Sequence, residues 1–270
     1  MKALIVAAGK SSRLYPLTND TPKPLLQIGG RSIIERSVDL LNANGISEVI
    51  VVVGFHHEKM REALHERASF VFNPFYELSN NMASLWLALP YLEGDAFVYL
   101  HADVIYHEAL ISELVSGAEC KSVGADVSVR PGRGGAPRPF CTRNDFASET
   151  TDAGIRLLVD PDRIDEEAMK VRVADGRFVE SSKAIPSAEA AGEWTGLARI
   201  SPNVIVPLRS AIETILAQGF LQSYDTAAFS RLAQEGVPFG LMSTNGLPWY
   251  EIDTMDDLEH AASLFGGRSH

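Results

Sequence analysis

The chain opens on the apolar run Ala3-Leu4-Ile5-Val6-Ala7-Ala8, stopped by Gly9. A run without alternation is the pattern of a strand covered on both faces, as in a parallel sheet, so the spacing predicts a first strand from Lys2 into this run. From Ser32 to Asn44, Ile33, Ile34, Val38, Leu40 and Leu41 fall near helical spacing, Gly45 supplies a stop, and Glu48 to Val53 reads as the next buried strand. The pattern then predicts a helix over Glu58 to His65, a strand over Ser69 to Phe72, a helix that includes Ser84 to Pro90, and a further buried strand over Ala96 to Leu100. Strands and helices thus alternate through about residue 115. Such alternation points to an α/β fold with a doubly wound, mostly parallel, Rossmann-like sheet, whose ligand crevice lies beyond the carboxyl ends of the strands. Gly9, Gly54 and Asp103 all follow predicted strand ends.

Residues 124 to 200 have a different rhythm. Short alternating runs at Asp126 to Val129, Ile155 to Val159 and Met169 to Val173, with a hairpin signal at Val173-Ala174-Asp175-Gly176-Arg177-Phe178, predict more antiparallel pairing. Between them, Arg130 to Asn144 holds four arginines among closely spaced Gly and Pro and reads as a long loop. Helices are expected over Asn203 to Ala217, Thr226 to Glu235 and Thr254 to Phe265, with a strand over Pro238 to Ser243.

With 46% hydrophobic and 22% charged residues in 270, the chain is long and apolar enough to bury a substantial core. Lys plus Arg number 24 against 35 Asp plus Glu, a net −11 that argues against a nucleic-acid partner. The two cysteines, Cys120 and Cys141, are too few for a disulfide framework and lack metal-ligand spacing. No apolar segment has the length of a membrane span or signal sequence, so a cytoplasmic protein without a membrane partner is expected.

The most informative stretch is Ala7-Ala8-Gly9-Lys10-Ser11-Ser12-Arg13-Leu14-Tyr15-Pro16-Leu17-Thr18, followed by Pro22-Lys23-Pro24. It joins a buried strand to a loop of small residues whose backbone N–H groups can approach phosphates, while Arg13 and Lys23 supply positive charge. The spacing is not that of a P-loop. His101-Ala102-Asp103 places a carboxylate at a strand end, where it can hold a hard cation or simply cap a turn. In Trp249-Tyr250-Glu251-Ile252-Asp253-Thr254 a second carboxylate, Asp253, precedes the last helix and could equally cap it. In Asn73-Pro74-Phe75-Tyr76-Glu77-Leu78-Ser79-Asn80-Asn81-Met82-Ala83-Ser84, side-chain amides could read a base edge, or Ser79 or Asn80 could cap a helix.

From Leu4 to Pro24 these motifs resemble the sugar nucleotidyltransferase superfamily, with Ser11 where that family usually has Gly and His101 where it often carries Asp. The 73–85 and 249–254 segments resemble its phosphocholine and 2-aminoethylphosphonate cytidylyltransferase branch. The resemblance implies one domain over 1–270, with a nucleotide-binding half over 1–123, an acceptor-binding half over 124–247 carrying an antiparallel insertion, and a closing segment over 248–270. It implies a cytidylyltransferase that uses Mg²⁺ and joins CMP from CTP to phosphocholine, 2-aminoethylphosphonate or a similar acceptor, releasing pyrophosphate. Lys23, Arg13 and Asp103 would be catalytic, with Asp103 and Asp253 as metal ligands. The nucleotide would meet Ala7, Ala8, Gly9, Ser11, Ser12, Arg13, Lys23, Asn80, Asn81 and Ser84. A cationic acceptor wants an aromatic face and a carboxylate, for which Glu193, Trp194, Tyr224, Asp225 and Glu251 are the candidates. A homo-oligomer is compatible with the resemblance. Two other readings stay open: a sugar-1-phosphate uridylyl- or guanylyltransferase, and a non-catalytic nucleotide-binding regulatory module.

Overall fold

The computed structural model describes residues 1–117 and 153–266. The expected strand at Asp126 to Val129, the loop from Arg130 to Asn144, and both cysteines lie outside the described residues.

The first half runs β1 (Lys2–Ala7), a small hairpin of β2 (Gln27–Ile28) and β3 (Arg31–Ser32), α1 (Ile33–Ala43), β4 (Val49–Val53), α2 (His57–Leu64), β5 (Ser69–Phe72), α3 (Asn81–Ala88), β6 (Phe97–His101), β7 (Val104–Tyr106) and α4 (Glu108–Ser116). The second half runs β8 (Ile155–Asp160), β9 (Lys170–Ala174), β10 (Arg177–Ser182), β11 (Gly192–Ile200), α5 (Ile205–Ala217), α6 (Asp225–Gln234), β12 (Phe239–Ser243), β13 (Trp249–Glu251) and α7 (Met255–Phe265). Among the described residues no helix is long and apolar enough to cross a membrane.

The main sheet has the order β10-β9-β11-β6-β1-β4-β5, with β8 paired to β11 and β12 to β8. β6, β1, β4 and β5 are mutually parallel. β11 runs antiparallel to β6, β8 and β9, and β9 and β10 form the expected hairpin. Beyond that stretch, β12 pairs parallel to β8.

The apolar runs are explained by two cores on opposite faces. Leu4, Val6, Val52, Phe97 and Tyr99 enter one, and Ala3, Ile5, Val51, Val53, Val98 and Leu100 enter the other. Ser32 caps α1 through a capping box with Glu35, which fixes where that helix starts. Outside the main sheet, β7 and β13 pair antiparallel as a two-stranded ribbon, with Glu251 opposite Val104. Periodicity cannot predict three-residue strands, and this ribbon is what joins the two halves of the chain at the site.

Candidate active site

A cleft of about 1000 Å³ opens at the carboxyl ends of β1 and β6. The loop after β1 contributes Ala8, Gly9, Ser11, Ser12 and Arg13 to its wall. Ser11 takes φ 52° and ψ 51°, the left-handed conformation that favours glycine. Its carbonyl accepts a 2.8 Å bond from the hydroxyl of the fully buried Thr18, which ties the loop back on itself. Ala7 does not line the cleft: as the last residue of β1 it packs into the core.

At the head of the cleft the backbone gathers four charged groups that are distant in sequence. Lys23, only 4% exposed, donates from Nζ to Asp103 Oδ2 and Asp253 Oδ1, both at 2.8 Å. Arg13 reaches the same Asp253 oxygen at 2.9 Å. The β7–β13 ribbon holds Asp103 and Asp253 just past its two paired ends, and the Ile252 N–H donates to the Asp103 carbonyl at 3.0 Å to lock that spacing. The helix-cap reading of Asp253 gives way here. Thr254 caps α7 in a box with Asp257, which leaves the Asp253 carboxylate turned to Lys23 and Arg13.

Glu251, expected among the acceptor groups, stands with the two aspartates: one carboxylate oxygen from each of Asp103, Glu251 and Asp253 lies within 4.8 Å of the others. Burial, then the Asp103 and Asp253 charges, push Glu251 up to about 7. Burial acts against the Asp103 carboxylate too, but Lys23 and His101 outweigh it and hold its pKa below the ordinary value. For Lys23, burial opposes the charge, yet the two aspartates together raise its pKa. Three carboxylates so close form a hard-oxygen donor set of the kind a divalent cation can occupy.

The floor is built by β6, β11 and α6. His101 Nε2 lies 2.9 Å from Asp225 Oδ2, which also accepts from Tyr99 Oη at 2.6 Å. Burial presses His101 toward its neutral form, but Asp225, with Asp103 and Glu251 behind it, holds its pKa above the usual histidine value. Asp225 is fully buried beneath the cleft and does not line it, so the structure makes it a support for His101 and not a surface for an acceptor. Asn81 completes the network, its Oδ1 accepting from the Asp225 N–H at 3.1 Å and its Nδ2 lying 3.1 Å from His101 Nε2. Asn80 caps α3, and Ser84, buried, bonds to Asn73 at 3.1 Å; all three of Asn80, Asn81 and Ser84 face the cleft.

The far wall comes from a bulge in β11, whose register with β8 shifts between Trp194 and Ala198. The carbonyls freed by the bulge are taken up by side chains: Tyr106 Oη donates to Thr195 O at 2.8 Å and Trp194 Nε1 to Leu197 O at 3.1 Å. Gly196, at φ +79°, has no room for a side chain, since a Cβ there would sit 2.8 Å from His101 Nδ1. Gly196→Ala is expected to cost about 2–4 kcal/mol from the left-handed backbone plus the clash. Urea unfolding reads this directly, and an unchanged midpoint would show that the bulge does not depend on the glycine.

Glu193 and Trp194 line this wall, both largely buried, while Tyr224 is 41% exposed at the rim. Burial raises Glu193 to about 8, Arg163 opposing and Glu251 adding to the rise. Its Oε2 is 3.5 Å from Arg163 Nε and makes no hydrogen bond among the described residues. Arg163 lies over the rings of Trp249 and Tyr250, 4.8 and 5.2 Å from their centroids. Arg163 and Lys183 both line the cleft, and the sequence reading overlooked them because a lone cation near a turn or strand end carries no motif.

Known proteins share stretches of this sequence and its fold. Over 98% of its length the chain is 28% identical to the CMP-5'-(3-aminopropyl)phosphonate synthase of Streptomyces rubellomurinus, of which it spans 39%. Over 89 residues, 32% of the chain, it is 40% identical to the choline-phosphate cytidylyltransferase of Streptococcus pneumoniae, spanning 38% of that protein. The matched stretches therefore cover well under half of the length of both relatives. In fold it is similar to the solved CTP:phosphocholine cytidylyltransferase of Streptococcus pneumoniae, with a TM-score of 0.70 at 22% identity over 97% of this chain and 98% of that one. Residues 3–161 match the MobA-like NTP transferase domain, and that match, taken with the cleft at its strand ends, shows that the chain belongs to the MobA-like NTP transferase family.

Proposed function

We propose that the chain is a Mg²⁺-dependent cytidylyltransferase that transfers CMP from CTP to a small aminoalkyl phosphate or phosphonate and releases pyrophosphate. The observation that carries this reading is the convergence of Asp103, Glu251 and Asp253 beside Lys23 and Arg13 at the head of the cleft. Cytosine as the base and an aminoalkyl acceptor are supported by the relative that is similar along almost the whole chain.

In the reaction, an ionised phosphate or phosphonate oxygen of the acceptor attacks the α-phosphorus of CTP in line. A new P–O bond forms as the bond to the β-phosphate oxygen breaks, and its electron pair leaves with pyrophosphate. The nucleophile is already an anion, so no general base is required, and the protein contributes positioning and charge. Gly9, Ser11 and Ser12 line the cleft where backbone N–H groups can approach the phosphates, while Arg13 and Lys23 offset their charge. Asp103, Asp253 and Glu251 would hold Mg²⁺, which supplies charge neutralisation and orients phosphate oxygens when bound. Asn80 and Asn81 offer amides to the base. Glu193, beside Trp194, would take the acceptor's ammonium group.

The Glu193 role has a sign in pH. With a pKa of about 8 in the free cleft, the carboxyl is mostly neutral at pH 7 and ionises as the pH rises toward 9. An ammonium ligand prefers the ionised form, so KM for an aminoalkyl acceptor is expected to fall about tenfold from pH 7 to pH 8.5, the range over which that form becomes populated. Glu193→Gln should raise KM and flatten this dependence; a parallel pH profile in the variant would remove Glu193 from acceptor binding.

The reaction itself is tested by pyrophosphate release with each of the four NTPs and Mg²⁺ against phosphocholine, aminoalkylphosphonates and sugar 1-phosphates. Release with CTP and an aminoalkyl acceptor is expected. Turnover with sugar 1-phosphates alone would overturn the acceptor class, and silence across the panel would favour a nucleotide-binding regulatory module.

A further inference from the structure

On the sheet face that carries α4, one row of side chains breaks the apolar pattern. Strand registers align Val98 of β6, Arg199 of β11, Arg156 of β8 and Gly240 of β12. Their neighbours two residues along, Leu100, Leu197, Leu158 and Met242, all belong to the core on that face. Two arginines therefore stand as direct cross-strand partners, a like-charge pairing that is unfavourable unless something offsets it. Both are half-buried, and among the described residues neither makes an ion pair or a hydrogen bond. Arg199 Nε is buried without a partner. The two guanidinium groups converge on Gly117 at the C-terminal end of α4, where a Cβ would lie 3.2 Å from the Arg199 Nη1 and 3.6 Å from the Arg156 Nη1. Gly240 adds no side chain to the row, and a Cβ there would lie 3.5 Å from Arg156 Nε.

We infer that Arg156 and Arg199 form a second site, separate from the cleft, that binds the oxyanion of a phosphate-bearing ligand. Neither arginine lines the cleft, and Arg199 lies three residues past Gly196, about 10 Å along the strand. Paired guanidinium groups offer parallel N–H donors that match tetrahedral oxyanions, and a bound dianion would remove the repulsion between them. Burial and then the Arg199 charge lower the pKa of Arg156.

The test is thermal unfolding of the whole chain in chloride buffer of fixed ionic strength, titrated with inorganic phosphate, pyrophosphate or CMP. At saturation a rise of about 4 °C is expected with at least one of the three, and the identity of that anion separates a free phosphate site from one for a diphosphate or a nucleotide. Arg199→Gln should lose most of the rise, Arg199→Lys should keep part of it, and Arg13→Ala, altered only in the cleft, should keep the part that Arg199→Gln loses. In anion-free buffer Arg156→Gln should unfold no lower than wild type, because repulsion is relieved. The inference is overturned if no anion gives a rise, if Arg13→Ala abolishes the rise while Arg199→Gln keeps it, or if Arg156→Gln unfolds well below wild type without anion, since Arg156 would then already have a partner.

Discussion

Turnover of Lys23→Ala protein is expected to fall about a thousandfold while its fold persists. Lys23 is almost fully buried and donates to both Asp103 and Asp253, so the substitution removes two things together. The first is a fixed positive charge beside the reacting phosphates. The second is the clamp that sets the distance between the two aspartates; the Arg13 that remains pairs with Asp253 alone and is 64% exposed at its side chain. Exposed charges are screened and hold geometry poorly, so Arg13 does not replace the clamp. Circular dichroism and thermal unfolding establish that the variant is folded. Single-turnover pyrophosphate release then reads the chemistry, and near-normal turnover would take Lys23 out of the mechanism.

Asp103→Asn should produce a loss of similar size, about a thousandfold, together with a higher Mg²⁺ requirement. The amide keeps the shape of the side chain but removes one of the two carboxylates that accept from Lys23. Glu251→Gln is the useful contrast. With a pKa of about 7, Glu251 is only half ionised at neutral pH before a cation arrives, so its replacement removes less charge and its effect should be smaller. Mg²⁺ titrations of pyrophosphate release in the two variants separate these cases. An unchanged metal dependence in Asp103→Asn would refute a ligand role for Asp103.

The parts of the fold that show in the sequence are those whose burial is two-sided or whose caps are local. β1, β4 and β6 are continuous apolar runs because each faces two cores, and α1 carries its own start signal in Ser32 and Glu35. The head of the cleft was legible through the family resemblance: Arg13, Lys23, Asp103 and Asp253 fall on its motifs, whereas by themselves the two aspartates could equally cap a turn or a helix. What was not legible is long-range. Asp225 carries the same sequence signature as a surface helix-end aspartate, and only the fold reveals that it is sealed under His101 and Tyr99. Glu251 was placed with the acceptor because nothing local says that the ribbon turns it toward Asp103. The bulge that shapes the far wall left no signal beyond one glycine within a strand.

The ribbon has a consequence for when the site exists. Lys23 and Asp103 belong to the first hundred-odd residues, while Glu251 and Asp253 lie near residue 250, and two three-residue strands bring them together. So few backbone bonds are the kind that open locally long before a domain unfolds. The anchor against that opening is Ile252, fully buried in a small satellite core with Leu14, Ile33 and Ala261. A chain emerging from the ribosome can complete β1, β4, β5 and β6 and still lack two of its three clustered carboxylates, Glu251 and Asp253. Assembly of the carboxylate cluster therefore waits for the segment around residue 250, and in the folded protein its lifetime is that of one docked ribbon.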